Sequence, residues 1–180
     1  MTDDVPFSRP VRVEPLPKDG LSHTIEADAA ERAALATLNG LPAIAKLAAT
    51  FTLRKAGRDG VRVVGEVHAD LTQTCVVSLE PFEVIVDEPV DVRFAPPREA
   101  EEARRKASAD ESETTRFDDE DPPDPIVDGK IDLGALAAEF MALALDPYPR
   151  KPGSVFEQPE EGGQNNSPFG PLADLGKTKG

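Results

Sequence analysis

Cysteine and histidine are the side chains of this sequence best suited to metal or redox chemistry. The sequence has one cysteine, Cys75, and two histidines, His23 and His68. A zinc site needs about four ligands, so these three scattered side chains predict no metal or cofactor site. Cys75 is either a metal ligand or redox thiol, or a buried thiol at the end of a strand. A single cysteine excludes an internal disulfide and suits a reducing compartment.

Patterns for nucleophilic catalysis and phosphate binding are missing from the sequence. His68 lies on the polar face of a predicted strand, and no serine or cysteine has the spaced base and acid partners of a hydrolase. The glycines Gly57, Gly60 and Gly65 do not lead from a loop into a helix, as a phosphate-binding loop requires. We therefore predict no catalytic residues and a protein that is not an enzyme.

Two groups of residues are candidates for binding a partner. The first begins at Cys75 and comprises Cys75, Leu79, Glu80, Pro81 and Phe82. Within it, Glu80 either binds a partner or caps the turn that Pro81 forces on the chain. The second group is the pair Arg54 and Arg62, near a predicted hairpin.

Three stretches alternate between apolar and polar side chains, as strands with one buried face do. They are Ile44–Lys55, Val61–Thr74 and Phe82–Phe94. Asp59-Gly60 is a strong hairpin signal between the first two. We expect an antiparallel β-meander, which the short strand at Val11–Val13 completes or partly closes into a barrel. Leu21–Glu26 is a further extended segment.

This pairing brings Arg54 and Arg62 close together near the hairpin. They either form a patch that faces phosphate groups or make ordinary cross-strand ion pairs with Glu66, Asp70 and Asp91. No aromatic platform for stacking bases accompanies them.

A short helix is predicted at Ala29–Asn39. Asp28 is its expected N-cap, Glu31 completes a capping box, and Asn39-Gly40 supplies the stop.

A second helix is predicted at Ile131–Leu145, capped by Asp128 or Asp132. Its interior is almost wholly apolar, so it must pack on the open face of the meander, with Leu136 and Phe140 as contacts. The predicted fold class is α+β: an antiparallel β-meander packed by a C-terminal helix and one short N-terminal helix.

Residues 95–128 are predicted to form an acidic disordered loop within a single domain of residues 1–149. Their 12 acidic and 5 basic side chains give a net charge of −7, half of the −14 carried by the whole chain. Such a segment has too little apolar surface to offset the entropy of ordering, although Glu99–Ala107 can form a transient helix. Residues 150–180, rich in proline, glycine and asparagine, are predicted to be a disordered tail.

The strongly negative charge favours basic partners and repels bare phosphate backbones. No apolar run approaches the ~20 residues of a membrane-spanning helix, and the acidic start, Met1-Thr2-Asp3-Asp4, is unlike a secretory signal. We therefore expect a cytoplasmic protein that does not bind membranes.

The sequence resembles the YceD family through Gly65-x-Val67-x-Ala69, then Thr74-Cys75-x-x-Ser78-Leu79-Glu80-Pro81-Phe82, then an acidic β-type run ending at Phe94. Members of that family are bacterial proteins linked to accumulation of large-subunit (23S) ribosomal RNA, with relatives in plastids. As a pattern the resemblance covers roughly Pro10 to Pro149. Many members carry Cys-x-x-Cys-Leu at the turn, whereas Ser78 occupies the second cysteine position here.

The resemblance implies a non-enzymatic ribosome-biogenesis factor that supports synthesis, processing or stability of large-subunit ribosomal RNA. Its partner would be ribosomal RNA or a basic ribosomal protein, and the acidity favours the protein. The alternative is a metal-binding or redox module descended from Cys-x-x-Cys relatives, against which Ser78 argues.

Overall fold

A computed structural model describes residues 5–57, 59–110 and 121–156. The elements follow one another as β1 (Pro10–Arg12), β2 (Leu21–Glu26), α1 (Ala29–Leu38), β3 (Ala43–Ala56), β4 (Gly60–Thr74), β5 (Pro81–Ala95), α2 (Pro97–Asp110), β6 (Asp124–Pro125), β7 (Lys130–Asp132) and α3 (Leu133–Leu143). In the described ranges, no helix is both long and apolar enough to cross a membrane.

The main sheet has five strands in the order β2-β3-β4-β5-β6. Neighbouring strands in this sheet are antiparallel, except that β6 runs parallel to β5. Each of the three long strands extends one residue beyond the predicted strand at one end or both. The predicted α+β meander is therefore confirmed, and the sheet is open rather than closed into a barrel.

The short strand expected at Val11–Val13 does not complete the meander. Strand β1 instead pairs with β7 in a separate two-stranded sheet, with Val11 opposite Ile131. The pairing continues into the first turn of α3, where the Leu133 amide donates to the Arg9 carbonyl. Sequence alternation shows that a segment is extended but not which strand will take its backbone hydrogen bonds, so this partner could not be read from the pattern.

One face of the main sheet carries the core, and α1 and α3 pack against it. Phe51, Leu53, Val63 and Val67 are fully buried on this inner face. Burial of such side chains stabilises the fold by roughly 1.5–3 kcal/mol each. The opposite, outer face is solvated, which explains the strict alternation along β3, β4 and β5.

Both predicted helices are present. Helix α1 has Asp28 as N-cap, and the capping box with Glu31 is complete. Glu31 also forms an ion pair with Arg9, at 2.7 Å, which holds the pKa of that carboxyl below its ordinary value. Helix α3 is capped by Asp132, since Asp128 lies in a turn with a φ of 50°.

The structure differs from the predicted disorder over part of the acidic segment. Residues Pro97–Asp110 form α2, a longer helix than the transient one expected. Ala100 of α2 is buried, Arg104 of α2 forms a 2.8 Å ion pair with Asp124, and the Ile126 amide donates to the Ala95 carbonyl. A few anchoring contacts to β5 and β6 thus support a helix that its composition alone does not predict. Residues 111–120 lie outside the described ranges.

The first seven residues of the predicted tail are among the described residues. Residues 150–156 are described, and they turn back onto the loop between β4 and β5. The remainder of the predicted tail, residues 157–180, lies outside the described ranges.

Candidate functional site

The connection from β4 to β5 is a closed turn, Cys75–Glu80, which we call the Cys75 turn. The Cys75 amide donates to the Glu80 carbonyl and the Leu79 amide donates to the Cys75 carbonyl, both at 2.9 Å. Leu79 has a φ of 60°, in the left-handed region that non-glycine residues rarely occupy. Its side chain is 75% exposed.

The Cys75 thiol is buried and surrounded by hydrogen-bond donors. Its Sγ accepts from the Val77 and Ser78 amides, each at 3.4 Å, and lies 3.5 Å from Ser154 Oγ. Hydrogen bonding by Ser154, and then by the side chain and amide of Ser78, lowers the pKa of Cys75 to about 6. The Ser154 hydroxyl also donates to the Lys151 carbonyl at 2.7 Å, so it must turn from that carbonyl to stabilise the thiolate.

The C-terminal segment, residues 146–156, holds the Cys75 turn from outside the sheet. The Val76 amide donates to the Pro149 carbonyl at 2.9 Å, and Gln73 donates to the Asp146 carbonyl at 3.1 Å. Lys151 Nζ and Glu80 Oε2 are 2.7 Å apart. The turn is therefore fixed by both main-chain and side-chain contacts to a segment about seventy residues further along the chain.

The main chain and the side chain of Glu80 make different contacts. Its carbonyl, and not its carboxylate, closes the Cys75 turn. The carboxylate binds Lys151, whose hydrogen bond and charge lower the pKa of Glu80. Pro81 begins β5, and Phe82, the next residue, is half-buried.

The Cys75 turn does not bring a set of metal ligands together. Among the described residues, no group of three or more histidine, cysteine, aspartate or glutamate side chains is placed to hold a metal ion. Ser78, which occupies the position of a second cysteine, accepts a hydrogen bond from the Glu80 amide at 3.4 Å. The serine therefore helps to close the turn.

Arg54 and Arg62 are directly opposite one another across β3 and β4, as predicted. Arg93 is opposite Arg62 on β5, so three arginines form a row at the hairpin end of the sheet. Arg62 makes two hydrogen bonds to Asp91, and Arg93 donates to the Asp121 carbonyl at 2.8 Å. The cross-strand pairing considered from the sequence is thus present at Asp91, while Arg54 is exposed.

The outer face of the sheet divides into two charged halves. The arginine row occupies the half near the β3–β4 hairpin. The half near the Cys75 turn carries Asp70, Glu83 and Asp87, with Lys46 opposite Asp70. His68 lies within this acidic half, with Nδ1 2.6 Å from Asp87 Oδ1 and Nε2 3.4 Å from Asp70 Oδ1. His23, on β2, has a buried Nε2 that has no hydrogen-bond partner among the residues the structure describes.

Five exposed apolar side chains belong to the Cys75 turn or to the C-terminal segment that contacts it, and we call them the apolar end surface. Its members come from the turn and from the C-terminal segment: Val76, Leu79, Tyr148, Val155 and Phe156. Sequence reasoning found Leu79 but missed the last three, because they lie at or beyond the end of the predicted domain. The proline and glycine content that predicted a tail gave no sign that this segment contacts the Cys75 turn.

Comparison with known protein families identifies the class to which this fold and turn belong. The model of the family described as large ribosomal RNA subunit accumulation protein YceD matches residues 63–175 of the 180-residue chain. The match includes most of β4, the Cys75 turn and the C-terminal segment, and extends beyond the described residues. The chain belongs to this family. Curated proteins and solved structures give no match.

Proposed function

We propose that this chain is a non-enzymatic ribosome-biogenesis factor that acts by binding a basic ribosomal protein. Its family membership connects it with accumulation of the large ribosomal RNA subunit. Synthesis, processing or stability of that RNA would then depend on a protein client that the chain delivers or shields. The corresponding compartment is the cytoplasm, where bacterial ribosomes are assembled.

The observation that carries the proposal is the acidic half of the outer sheet face beside the Cys75 turn. Asp70, Glu83 and Asp87 lie on two neighbouring strands of this solvated surface. The whole chain has a net charge of −14, so its field attracts cationic proteins and repels phosphate. A basic protein client would be attracted both by the acidic half of the outer face and by the net negative charge of the whole chain.

Direct RNA binding is less well supported. The arginine row is the basic feature of the described sheet, and its Arg62 already contacts Asp91 while its Arg93 contacts Asp121. An RNA phosphate would have to displace these contacts, and protein binding of single-stranded RNA commonly adds aromatic side chains for stacking. We therefore interpret the arginine row as part of the cross-strand pairing of the sheet and not as a binding site for RNA.

A redox function for Cys75 is the alternative. Its low pKa, about 6, favours a thiolate at neutral pH, and thiolates are the reactive form of cysteine. The buried position of the sulfur opposes this function because an oxidant or second thiol needs access.

Affinity capture from lysate, with and without ribonuclease, tests the proposal. We expect a basic large-subunit ribosomal protein to be retained after RNA has been degraded, and to be released as salt rises because screening weakens exposed charge pairs. A partner set lost entirely on ribonuclease treatment would contradict the proposal and favour RNA. A variant with Asp70→Asn, Glu83→Gln and Asp87→Asn should release the client at lower salt, whereas Glu26→Gln, on the edge strand, should not.

A further inference from the structure

We propose that the apolar end surface, together with the acidic half of the outer face, binds a short amphipathic, cationic segment of a protein partner. This inference rests on the proposed function and adds the binding surface and the chemistry of the bound segment. The apolar side of the segment would contact Leu79 and Tyr148, and its lysines or arginines would face Glu83 and Asp87.

Exposed large hydrophobic side chains are concentrated in the apolar end surface. In the described part of the chain, five of the eleven exposed large hydrophobic side chains belong to the Cys75 turn or the C-terminal segment. Leu79 is 75% exposed and Tyr148 is 73% exposed. Single exposed apolar residues are normal, whereas a group of them marks a contact site.

The surface is also held in place by the contacts beneath it. The Val76 amide donates a hydrogen bond to the carbonyl of Pro149, the residue after Tyr148. The Cys75 thiol is hydrogen-bonded to the hydroxyl of Ser154, the residue before Val155. The two parts of the surface are therefore fixed relative to each other before a partner arrives. Less conformational entropy is then lost on binding, which strengthens affinity for a given contact area.

Charge decides which class of partner fits. Asp146 accepts a hydrogen bond from the Tyr148 amide, Glu83 is the third residue of β5 after the Cys75 turn, and Lys151 is engaged by Glu80. Arg150 adds one basic side chain to the C-terminal segment. The carboxylates disfavour RNA phosphates and acidic peptides and favour cationic groups. Anchors at i, i+3 and i+4 on a short helix would fit a surface of about five side chains.

Site-specific photo-crosslinking tests the inference. A benzophenone amino acid replaces Leu79 in the full chain, which is then mixed with RNA-free protein extracted from purified large ribosomal subunits. The control carries the same amino acid in place of Val64, which is exposed on the outer face away from the Cys75 turn. We expect cross-links at position 79, to basic amphipathic segments, and few at position 64. Equal cross-linking at both positions, or cross-linking at position 79 mainly to the chain's own residues 157–180, would overturn the inference.

A binding measurement with the cross-linked segment, made as a synthetic peptide, provides the second test. The double substitution Leu79→Ser and Tyr148→Ser should weaken peptide binding roughly tenfold or more, as loss of central apolar anchors does. Leu143→Ser, which changes an equally exposed leucine on α3, should leave affinity unchanged. Equal affinity for both variants overturns the surface assignment but leaves the proposed function intact if the intact chain still retains a ribosomal protein after ribonuclease treatment.

Discussion

Cys75 and Ser154 are separated by 79 positions in the sequence, yet Sγ and Oγ lie 3.5 Å apart. This contact joins the turn between two core strands to a segment that sequence composition assigns to a tail. The sulfur is buried between them, and the amides of Val77 and Ser78 point toward it. The Cys75 side chain therefore helps to hold the C-terminal segment against the Cys75 turn.

The ionisation of Cys75 should reflect this environment. Its pKa is about 6 in the folded chain, below the ~8.5 of an unfolded cysteine. A lowered pKa means that the thiolate contributes stability that is fully present above about pH 8.5 and is lost as pH falls through about 6. Ultraviolet absorbance of the thiolate, with Cys75→Ser as the blank, should show a midpoint near pH 6.

Ser154→Ala should raise that midpoint, because the first donor to the thiolate is removed. Ser22→Ala, which changes an exposed serine paired with Thr52 on the outer face, is the matched control and should leave the midpoint unchanged. A midpoint for the intact chain close to that of an unfolded cysteine would contradict the assigned contact.

The packing of α3 predicts which of its side chains stabilise the domain. Leu133 and Met141 are fully buried, so Leu133→Ala and Met141→Ala should each lower the free energy of unfolding by about 2–5 kcal/mol. Phe140 is only partly buried, and Phe140→Ala should therefore cost less than the ~3–5 kcal/mol typical of a buried phenylalanine. Denaturant unfolding measures these changes, with exposed Leu143→Ala as control. Similar losses for Leu143→Ala and Leu133→Ala would show that α3 packs through a different face.

The ionisation of Asp132 should make the stability of the fold depend on pH in the acidic range. Burial raises the pKa of this carboxyl, but hydrogen bonds from Ser8, Arg9, Ala135 and Gly134 outweigh burial and hold the pKa below its ordinary value. The stability that the carboxylate contributes is thus present above the ~3.9 of an unfolded aspartate and is lost as pH falls through the lower, folded pKa.

The substitution Asp132→Ala should cost about 0.5–2 kcal/mol at neutral pH, because the cap of α3 is removed. Asp132→Asn keeps an oxygen acceptor and should cost less, while flattening the acid dependence. Thermal unfolding of the three proteins across the acidic range would check this. An unchanged acid dependence in Asp132→Asn would assign the effect to other carboxyl groups.

Sequence reasoning succeeded where local pattern and tertiary structure agree. Alternation along Val61–Thr74 required one buried face, and the Asp59-Gly60 turn fixed the hairpin register, so Arg54 and Arg62 were correctly placed opposite each other. The capping box of Asp28 and Glu31 is likewise local, since both residues belong to one helical turn.

The remaining features depend on contacts between distant segments. Helix α2 is supported by pairs such as Arg104 with Asp124, and the Cys75 turn by Lys151 and Ser154. Composition predicts the behaviour of such segments only when they are isolated. The sequence therefore predicted only part of the apolar end surface, namely Leu79.

The proposed function can be measured in cells as the ratio of large- to small-subunit ribosomal RNA. We expect this ratio to fall in cells that lack the chain and to be restored by the intact chain and by Cys75→Ser. The variant with Asp70→Asn, Glu83→Gln and Asp87→Asn should restore it poorly, when that variant is folded and equally abundant. An unchanged ratio in cells without the chain, or full restoration by the neutralised variant, would contradict the proposed function.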